Sequence, residues 1–129
     1  MSDELIGINA MCKAFDVTPR TLRFYEQKEL LFPHRQGQKR LFSRRDRARL
    51  KLILRGKRFG FSLEEIRRLL DLYDMGDQKD LQLKMTLVTA RQRLAEMTDQ
   101  RDDLDAAISE LTVMIAEGER MLAEAGIAD

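Results

Sequence analysis

The 129-residue sequence has one histidine, one cysteine and no tryptophan, so it offers few of the nitrogen and sulfur groups that metal sites and cysteine–histidine catalysis use. Carboxylates are plentiful, but nothing singles out an acid–base pair. A structural zinc site needs about four ligands at short spacing, which this sequence does not supply. A catalytic cysteine–histidine pair would have to join Cys12 and His34. Cys12 lies on an apolar helix face, as a core thiol would, and His34 lies in a predicted hairpin, so nothing in the sequence pairs them. P-loop, dinucleotide-binding and nucleophile-elbow motifs are also missing. We therefore expect no enzyme, no bound metal and no cofactor.

Two further classes of protein are disfavoured by what the sequence has little of. A single cysteine cannot form an internal disulfide and is typical of a reducing cytoplasm. No apolar run reaches the length of about 18 residues that a transmembrane helix requires. The N-terminal stretch MSDELIGINAM carries two acids and no basic region, unlike a secretory signal. We expect a cytoplasmic protein that does not enter a membrane.

The formal net charge of +1 conceals two halves of opposite sign. Residues 1–80 hold 18 Lys or Arg against 12 Asp or Glu, whereas residues 81–129 hold 5 against 10. Between Arg35 and Arg58 there are 11 basic residues and a single acid, Asp46. A solvated helix face normally mixes both signs. This stretch therefore favours a polyanion-binding module, joined to an acidic element with another role.

Two short helices joined by a tight turn are predicted near the N-terminus. Asp16 tolerates the left-handed conformation that ends a helix, Thr18 can cap the following helix, and Pro19 suits its first position. The residues that share one apolar face of the first helix, at i, i+3, i+4 and i+7, are Ile8, Met11, Cys12 and Phe15. This spacing indicates a helix-turn-helix arrangement.

A small hairpin and a third helix follow. Gly37 permits a tight turn between two short extended segments, which predicts a wing at about residues 32–42. Ser43 followed by Asp46 resembles a capping box, although Glu or Gln is the better third residue. It predicts a helix over residues 44–59.

The chain continues with a fourth helix and a linker before its last segment. Ser62 and Glu65 form a stronger capping box, which predicts a helix over residues 63–73. The polar stretch DMGDQKD then reads as a connection. We divide the chain into an N-terminal winged helix-turn-helix domain at residues 1–75, a linker at 76–80 and a C-terminal helix at 81–129.

The last segment, about residues 80–125, has the clearest periodicity in the chain. Apolar residues occupy most of the a and d positions of more than five heptads, a pattern typical of a coiled coil. The residues predicted to form the dimer contact are Leu87, Leu94, Met97, Leu104, Ile108, Leu111 and Ile115. A helix of roughly 65–70 Å cannot bury such a stripe against the smaller N-terminal half, so we expect a partner helix from a second chain. Arg101, within this seam, is expected to weaken pairing locally and to help fix register.

The stretch TPRTLRFYE combines two arginines with an aromatic ring on one helix face. At 100° per residue, Leu22 and Tyr25 share one side, and the residues on the opposite side are Arg20, Arg23, Phe24 and Gln27. Arg and Gln can donate paired hydrogen bonds to base edges, and a tyrosine hydroxyl can reach a phosphate. Two alternatives stay open here: Arg23 pairs with Glu26 or Gln27, and Phe24 packs under the wing.

Basic residues flank this helix in the chain at two places. His34, Arg35, Lys39 and Arg40 lie in the predicted wing. A second group precedes the FGFS turn and consists of Arg55, Lys57 and Arg58. If these residues neutralise phosphates on both sides of the helix, affinity falls with salt at a slope of about −0.9 per neutralised phosphate. The favoured chemistry is therefore nucleic-acid binding.

These motifs together resemble the MerR family of bacterial transcription regulators. The resemblance covers the whole chain and rests on TPRTLRFYEQKELLFPHR, on KRLF, on LILRGKRFGFSLEEIRRLL and on the long C-terminal helix. It implies a mainly α fold, a winged helix-turn-helix domain followed by a long dimerisation helix that forms an antiparallel coiled coil. The run RRDRARLKLILRGKRFGFSLEEI is similar to the branch that regulates leucine and isovalerate or related acyl-CoA catabolism.

The resemblance implies roles for particular residues. Thr18, Arg20, Arg23 and Tyr25 correspond to the recognition helix. The counterparts of the first wing are Arg35 and Arg40, and those of the second wing are Lys57 and Arg58. The implied partners are double-stranded DNA with an inverted-repeat operator, a second copy of the chain, RNA polymerase at the promoter and a small-molecule effector of unassigned chemistry, with an acyl-CoA as one candidate.

The implied mechanism is activation by bending and untwisting a promoter spacer that is too long for RNA polymerase. The alternatives are a repressor at the same kind of operator and a coiled-coil scaffold whose basic half binds an acidic partner. The sequence departs from the family pattern at Asp16 and Glu29, where glycine is usual. It also has no cysteines near the end of the dimerisation helix, where the metal and redox sensors of the family place them.

Overall fold

The computed structural model describes residues 4–74 and 79–128, which fall into two compact units that divide between Leu87 and Val88. The first unit begins with two short helices, a hairpin and two further helices. Its elements are β1 (Ile6–Gly7), α1 (Ile8–Phe15), α2 (Pro19–Gln27), β2 (His34–Gln36), β3 (Lys39–Phe42), α3 (Arg44–Arg58) and α4 (Leu63–Asp74). The helix α5 (Lys79–Glu124) continues into the second unit. The mainly α class and the winged helix-turn-helix are confirmed.

The turn between α1 and α2 forms as local chemistry predicts. Asp16 adopts the left-handed conformation, with φ 53°, and its N–H donates to the carbonyl of Cys12. Thr18 is the N-cap of α2, since its side chain accepts a hydrogen bond from the Thr21 N–H at 3.2 Å, and Pro19 occupies the first turn. The predicted helix-turn-helix is therefore confirmed down to its caps.

The wing is part of a three-stranded antiparallel sheet of order β1-β3-β2. Gln36 pairs with Lys39, so Gly37 and Gln38 form a two-residue hairpin loop, and Gly37 has the positive φ, 63°, that its first position requires. The sequence did not indicate β1, because a strand of two residues is too short to show alternation. By pairing with β3, it joins the wing to the start of α1.

A single apolar core holds the first unit together. Its buried residues come from α1, α2, the wing and both later helices: Met11, Leu22, Tyr25, Leu30, Leu31, Phe42, Leu50, Ile53, Ile66 and Leu70. Each fully buried aliphatic side chain of this kind contributes about 1.5–3 kcal/mol. Because α2 contributes Leu22 and Tyr25, its orientation relative to the wing and to α3 is set by packing.

The caps of α3 and α4 differ in one respect. Ser62 and Glu65 form a reciprocal capping box, with distances of 2.8 and 3.1 Å between backbone nitrogen and side-chain oxygen. Ser43 accepts from the Asp46 N–H at 3.1 Å, yet the Asp46 carboxylate accepts instead from the Phe32 N–H at 3.0 Å. Asp46 therefore links the segment at Phe32, just before the wing, to α3, and it does not complete a capping box.

The two later helices approach each other closely at Gly56. A Cβ atom at this position would lie 2.9 Å from Cγ1 of Ile66, inside normal contact distance. Only glycine allows α3 and α4 to pack this closely with Ile66 in its present conformation.

The helix α5 is 46 residues long. Of the predicted linker 76–80, residues 76–78 lie outside the described residues, and Lys79 and Asp80 already belong to α5. The division into domains stays a prediction. Across the described ranges 4–74 and 79–128, no helix is long and apolar enough to cross a membrane.

Candidate nucleic-acid interface

The helix α2 divides into a buried and an exposed face. Leu22 is completely buried and Tyr25 is 3% exposed, so this face anchors the helix in the core. The opposite face is exposed and carries Arg20, Arg23, Phe24 and Gln27. The division predicted from the helical period is therefore present.

The two arginines of the exposed face have no partner among the residues that the structure describes. Arg20 and Arg23 make no hydrogen bond or ion pair with any residue in the described ranges 4–74 and 79–128. The alternative in which Arg23 pairs with Glu26 is not observed, because the Glu26 carboxylate binds two other guanidinium groups. Each arginine thus keeps its five N–H donors available for a ligand outside the chain.

Phe24 is held at the surface and does not pack under the wing. Its ring is 42% exposed and lies edge to face with Tyr25, with ring centroids 5.5 Å apart. The Lys28 Nζ lies 5.6 Å from the centroid of the Phe24 ring, within reach of a cation–π contact. Phe24 therefore fixes the position of Lys28 at the exposed end of α2.

Tyr25 combines a buried ring with a hydroxyl that has no hydrogen-bond partner in the described part of the chain. Burial raises the pKa of the Tyr25 hydroxyl above its usual value, so this group stays protonated at neutral pH. Within the described part of the chain the hydroxyl forms no hydrogen bond, yet its oxygen is not among the buried polar atoms. It is a neutral donor at the surface, as a phosphate contact requires.

Glu26 joins the recognition helix to the wing through two ion pairs. Its Oε2 accepts from the Arg40 Nε at 2.6 Å, and its Oε1 accepts from an Arg35 Nη2 at 3.0 Å. Arg35 and Arg40 lie directly opposite each other on β2 and β3. Both predicted wing contacts to phosphate are therefore also ligands of an acidic residue on α2.

A shallow cavity of about 480 Å³ lies between α1, α2 and β3. It is lined by the first residues of α1, by Arg23, and by the wing residues from Gln38 to Leu41. The structure thus brings Arg23 together with Lys39 and Arg40 on one concave basic surface. Such a surface can follow a phosphate backbone while Arg23 reaches toward base edges.

Lys57 and Arg58 lie apart from this cavity, in the last turn of α3. Both side chains are exposed, and α3 ends where its carbonyl groups carry partial negative charge, which favours cations. They form a second basic surface next to the turn that leads into α4. Their role in a second wing, which the resemblance implies, stays a prediction.

Sequence reasoning missed the residues that hold the end of α2. The Arg67 guanidinium, on α4, donates to the carbonyl groups of Lys28 and Glu29, and the Arg49 Nε, on α3, donates to the Leu30 carbonyl at 2.8 Å. Two of these carbonyls follow the last residue of α2, Gln27, by only one or two positions. No local pattern marks a contact across 39 residues, so the sequence offered no signal for it.

Within residues 4–74 and 79–128, no three His, Cys, Asp or Glu side chains come together in a group that could hold a metal ion. The geometry defines a different class of site. A helix-turn-helix presents unpaired guanidinium groups on its second helix, beside a basic β-hairpin. This is the arrangement of a winged helix-turn-helix DNA-binding protein.

Comparison with known proteins supports this class and narrows it. Residues 7–72 match the family described as MerR HTH family regulatory protein, and residues 47–114 match the family described as MerR, DNA binding. The chain is 40% identical over 68 residues to the HTH-type transcriptional regulator ZntR of Escherichia coli K12. It is 31% identical over 112 residues to the mercuric resistance operon regulatory protein of Pseudomonas fluorescens, an alignment that covers 84% of this chain and 75% of that protein.

The chain belongs to the MerR family. Its alignment with ZntR spans about half of each chain, 50% of this one and 48% of that one. Its fold is similar to that of HiNmlR, described as a MerR family regulator lacking the sensor domain and solved bound to promoter DNA. The TM-score is 0.70 at 21% identity, over 93% of this chain and 92% of that one. PbrR691 of Ralstonia metallidurans CH34, solved in complex with lead(II), gives a TM-score of 0.52 at 28% identity, over 75% and 80% of the two chains.

Proposed function

We propose that this protein is a dimeric, sequence-specific DNA-binding regulator of transcription that acts in the cytoplasm. The observation that carries the proposal is the exposed face of α2, where Arg20 and Arg23 have no partner within the described residues. Arg23 also shares a cavity with basic residues of the wing. Burying such donors against another protein would need carboxylates placed to match them. A DNA duplex supplies phosphates and guanine edges in a regular array.

The proposed contacts divide into two kinds. Arg20 and Arg23 read base edges, while Thr18, Tyr25 and the basic residues of the two wings bind phosphate. The wing residues in question are Arg35, Arg40, Lys57 and Arg58. Base contacts supply discrimination among sequences, and phosphate contacts supply orientation and a steep dependence on salt.

Dimerisation through the C-terminal helix is part of the proposal. In the second unit, the seam residues from Leu94 to Ile115 are exposed, with exposed fractions between 42% for Met97 and 64% for Leu94. An apolar stripe of this length, open to water on a single chain, is stabilised by pairing with a second copy. An antiparallel pair would carry one DNA-binding domain at each end, and this matches an operator with inverted repeats.

The proposed mechanism is activation by distortion of an overlong promoter spacer, so that RNA polymerase can engage both promoter elements. Repression at the same operator uses the same contacts and differs only in the shape of the bound DNA. A small-molecule effector, an acyl-CoA among the candidates, belongs to this proposal through the resemblance alone. The matches are to the family as a whole, so the leucine and isovalerate branch stays a prediction.

A selection experiment tests the function. A random duplex library enriched on the purified protein should yield an inverted repeat that binds far more tightly than a shuffled duplex of the same composition. Transcription in vitro, in reactions where RNA polymerase either is or is not bound to the promoter before the protein is added, then distinguishes activation from repression. Equal affinity for all duplexes would refute sequence-specific regulation and favour the scaffold that binds acidic partners.

A further inference from the structure

The wing contains a pair of residues that would repel each other without help from α2. Arg35 and Arg40 face each other directly across the hairpin, and like charges in this position destabilise a sheet. The Glu26 carboxylate binds both, with nitrogen–oxygen distances of 3.0 and 2.6 Å. The side chains of Glu26 and Arg40 are only 21% and 23% exposed, so these contacts are partly shielded from water.

We propose that Glu26 is a positioning residue for DNA recognition, which fixes the wing relative to the recognition helix through Arg35 and Arg40. Glu26 itself touches no DNA in this arrangement. Its carboxylate stands on the helix that faces the phosphates, where an unpaired acid would oppose binding. Held by two arginines it instead links β2, β3 and α2 into one unit, and Arg23 and Lys39 keep their spacing on the shared cavity.

The inference rests on the proposed DNA-binding function and revises one of its contacts, because it makes Arg40 mainly a wing anchor and not a phosphate ligand. The Arg40 Nε, the inner donor of the guanidinium, is bound at 2.6 Å by Glu26. Arg35 is half exposed, so its remaining N–H groups can still reach a phosphate while one donor stays on Glu26. The two wing arginines therefore have different roles, although the resemblance implied the same role for both.

Removing the carboxylate distinguishes a positioning role from simple charge repulsion, because the two predict opposite changes in affinity for the operator. If Glu26 acts only as a nearby negative charge, Glu26→Gln strengthens binding to every duplex. If it positions the wing, Glu26→Gln weakens operator binding by about tenfold, the cost of one charge-assisted hydrogen bond. Under this positioning hypothesis, the affinity of the Glu26→Gln protein for a shuffled duplex does not fall. The matched control is Glu29→Gln, which removes an exposed acid two residues after α2 that has no ion pair within the described residues.

A double-mutant cycle with Arg40→Gln tests whether Arg40 acts through Glu26. We expect Arg40→Gln to cost much less in the Glu26→Gln background than in the wild type, because the contact is already lost. Additive losses would assign Arg40 an independent phosphate contact and overturn the proposal. Operator binding by Glu26→Gln equal to or tighter than wild type would overturn it as well, and so would equal losses on operator and shuffled DNA.

A stability measurement and a substitute variant keep the outcome unambiguous. Melting temperatures of all variants are recorded, and if Glu26→Gln is too unstable for binding assays, Glu26→Asp replaces it in the cycle. This variant keeps the charge and shortens the reach by one methylene, so operator affinity should again fall relative to shuffled DNA. Failure of the wild type to prefer its operator over shuffled DNA would refute the proposed function itself, independently of any Glu26 variant.

Discussion

Arg67 of α4 donates a hydrogen bond to the carbonyl oxygen of Lys28, the C-cap residue that directly follows α2. The same guanidinium also reaches the Glu29 carbonyl at 3.3 Å. Carbonyls at a helix C-terminus lack intrahelical partners and carry partial negative charge, so a guanidinium stabilises them twice, as donor and as cation. Through this contact α4 stabilises the C-terminal end of α2, as Thr18 stabilises its N-terminal end.

We expect Arg67→Ala to lower the free energy of unfolding by about 1–2 kcal/mol, since two carbonyl groups lose their charged donor. Urea denaturation followed by circular dichroism measures the change. The neighbouring Arg68 is the control, because Arg68→Ala removes the same charge from the same helix without breaking a hydrogen bond within the described residues. Equal destabilisation by both variants would show that net charge, not the carbonyl contact, is responsible.

Arg23→Ala should reduce discrimination between operator bases by about 1–3 kcal/mol, since Arg23 lies on the exposed face of α2 and is unpaired within residues 4–74 and 79–128. Binding to operators with single base changes measures this loss. Lys39→Ala is the matched control from the same cavity. It should weaken all duplexes alike and reduce the salt slope by about 1. An identical loss on every sequence for Arg23→Ala would contradict a base contact.

Tyr25→Phe should leave stability within about 0.5 kcal/mol of wild type, because the hydroxyl has no partner in the described protein. The ring stays in the core, so packing is unchanged. DNA affinity should fall by about 1 kcal/mol on operator and shuffled duplexes alike, as expected for one lost hydrogen bond to phosphate. Unchanged affinity in a fluorescence anisotropy titration would remove Tyr25 from the interface.

The sequence predicted contacts between near neighbours and missed contacts between distant side chains. The caps at Thr18 and Ser62 were readable because donor and acceptor lie three residues apart. The pairing of Glu26 with Arg40 spans 14 residues and that of Arg67 with Lys28 spans 39. Several acids and bases could have paired in either case, and only the packed fold selects among them.

The left-handed positions show a second kind of success. Asp16 and Glu29 were noted because the family usually has glycine there, and both have positive φ, 53° and 59°. For a residue with a Cβ this conformation costs roughly 1–2 kcal/mol. The glycines usual in the family at these two positions therefore reflect a left-handed backbone conformation. This chain adopts it with strain at Glu29 and with less strain at Asp16, because aspartate tolerates it better.

Gly56→Ala tests the close approach of α3 and α4. Alanine favours a helix by about 0.5–1 kcal/mol over glycine, but its Cβ would lie 2.9 Å from Ile66 Cγ1. Overpacking costs about 1–3 kcal/mol, so we expect net destabilisation and a lower melting temperature. Gly118→Ala is the control, because a Cβ there meets nothing within 4 Å in the chain. It should raise stability, and a rise for both variants would contradict the steric constraint at Gly56.

Charged residues in the seam of α5 should convert dimers to monomers. Leu104 and Leu111 are 61% and 54% exposed in the single chain and occupy the same heptad position, so in a dimer both would be buried. Replacing both by Glu places uncompensated charges in that contact, and sedimentation should then report a monomer that no longer binds the operator. Val113→Glu is the control, because Val113 is 57% exposed but lies off the seam. A dimer that survives both substitutions at 104 and 111 would refute the coiled-coil assignment, and loss of dimers with Val113→Glu would move the contact to another face of the helix.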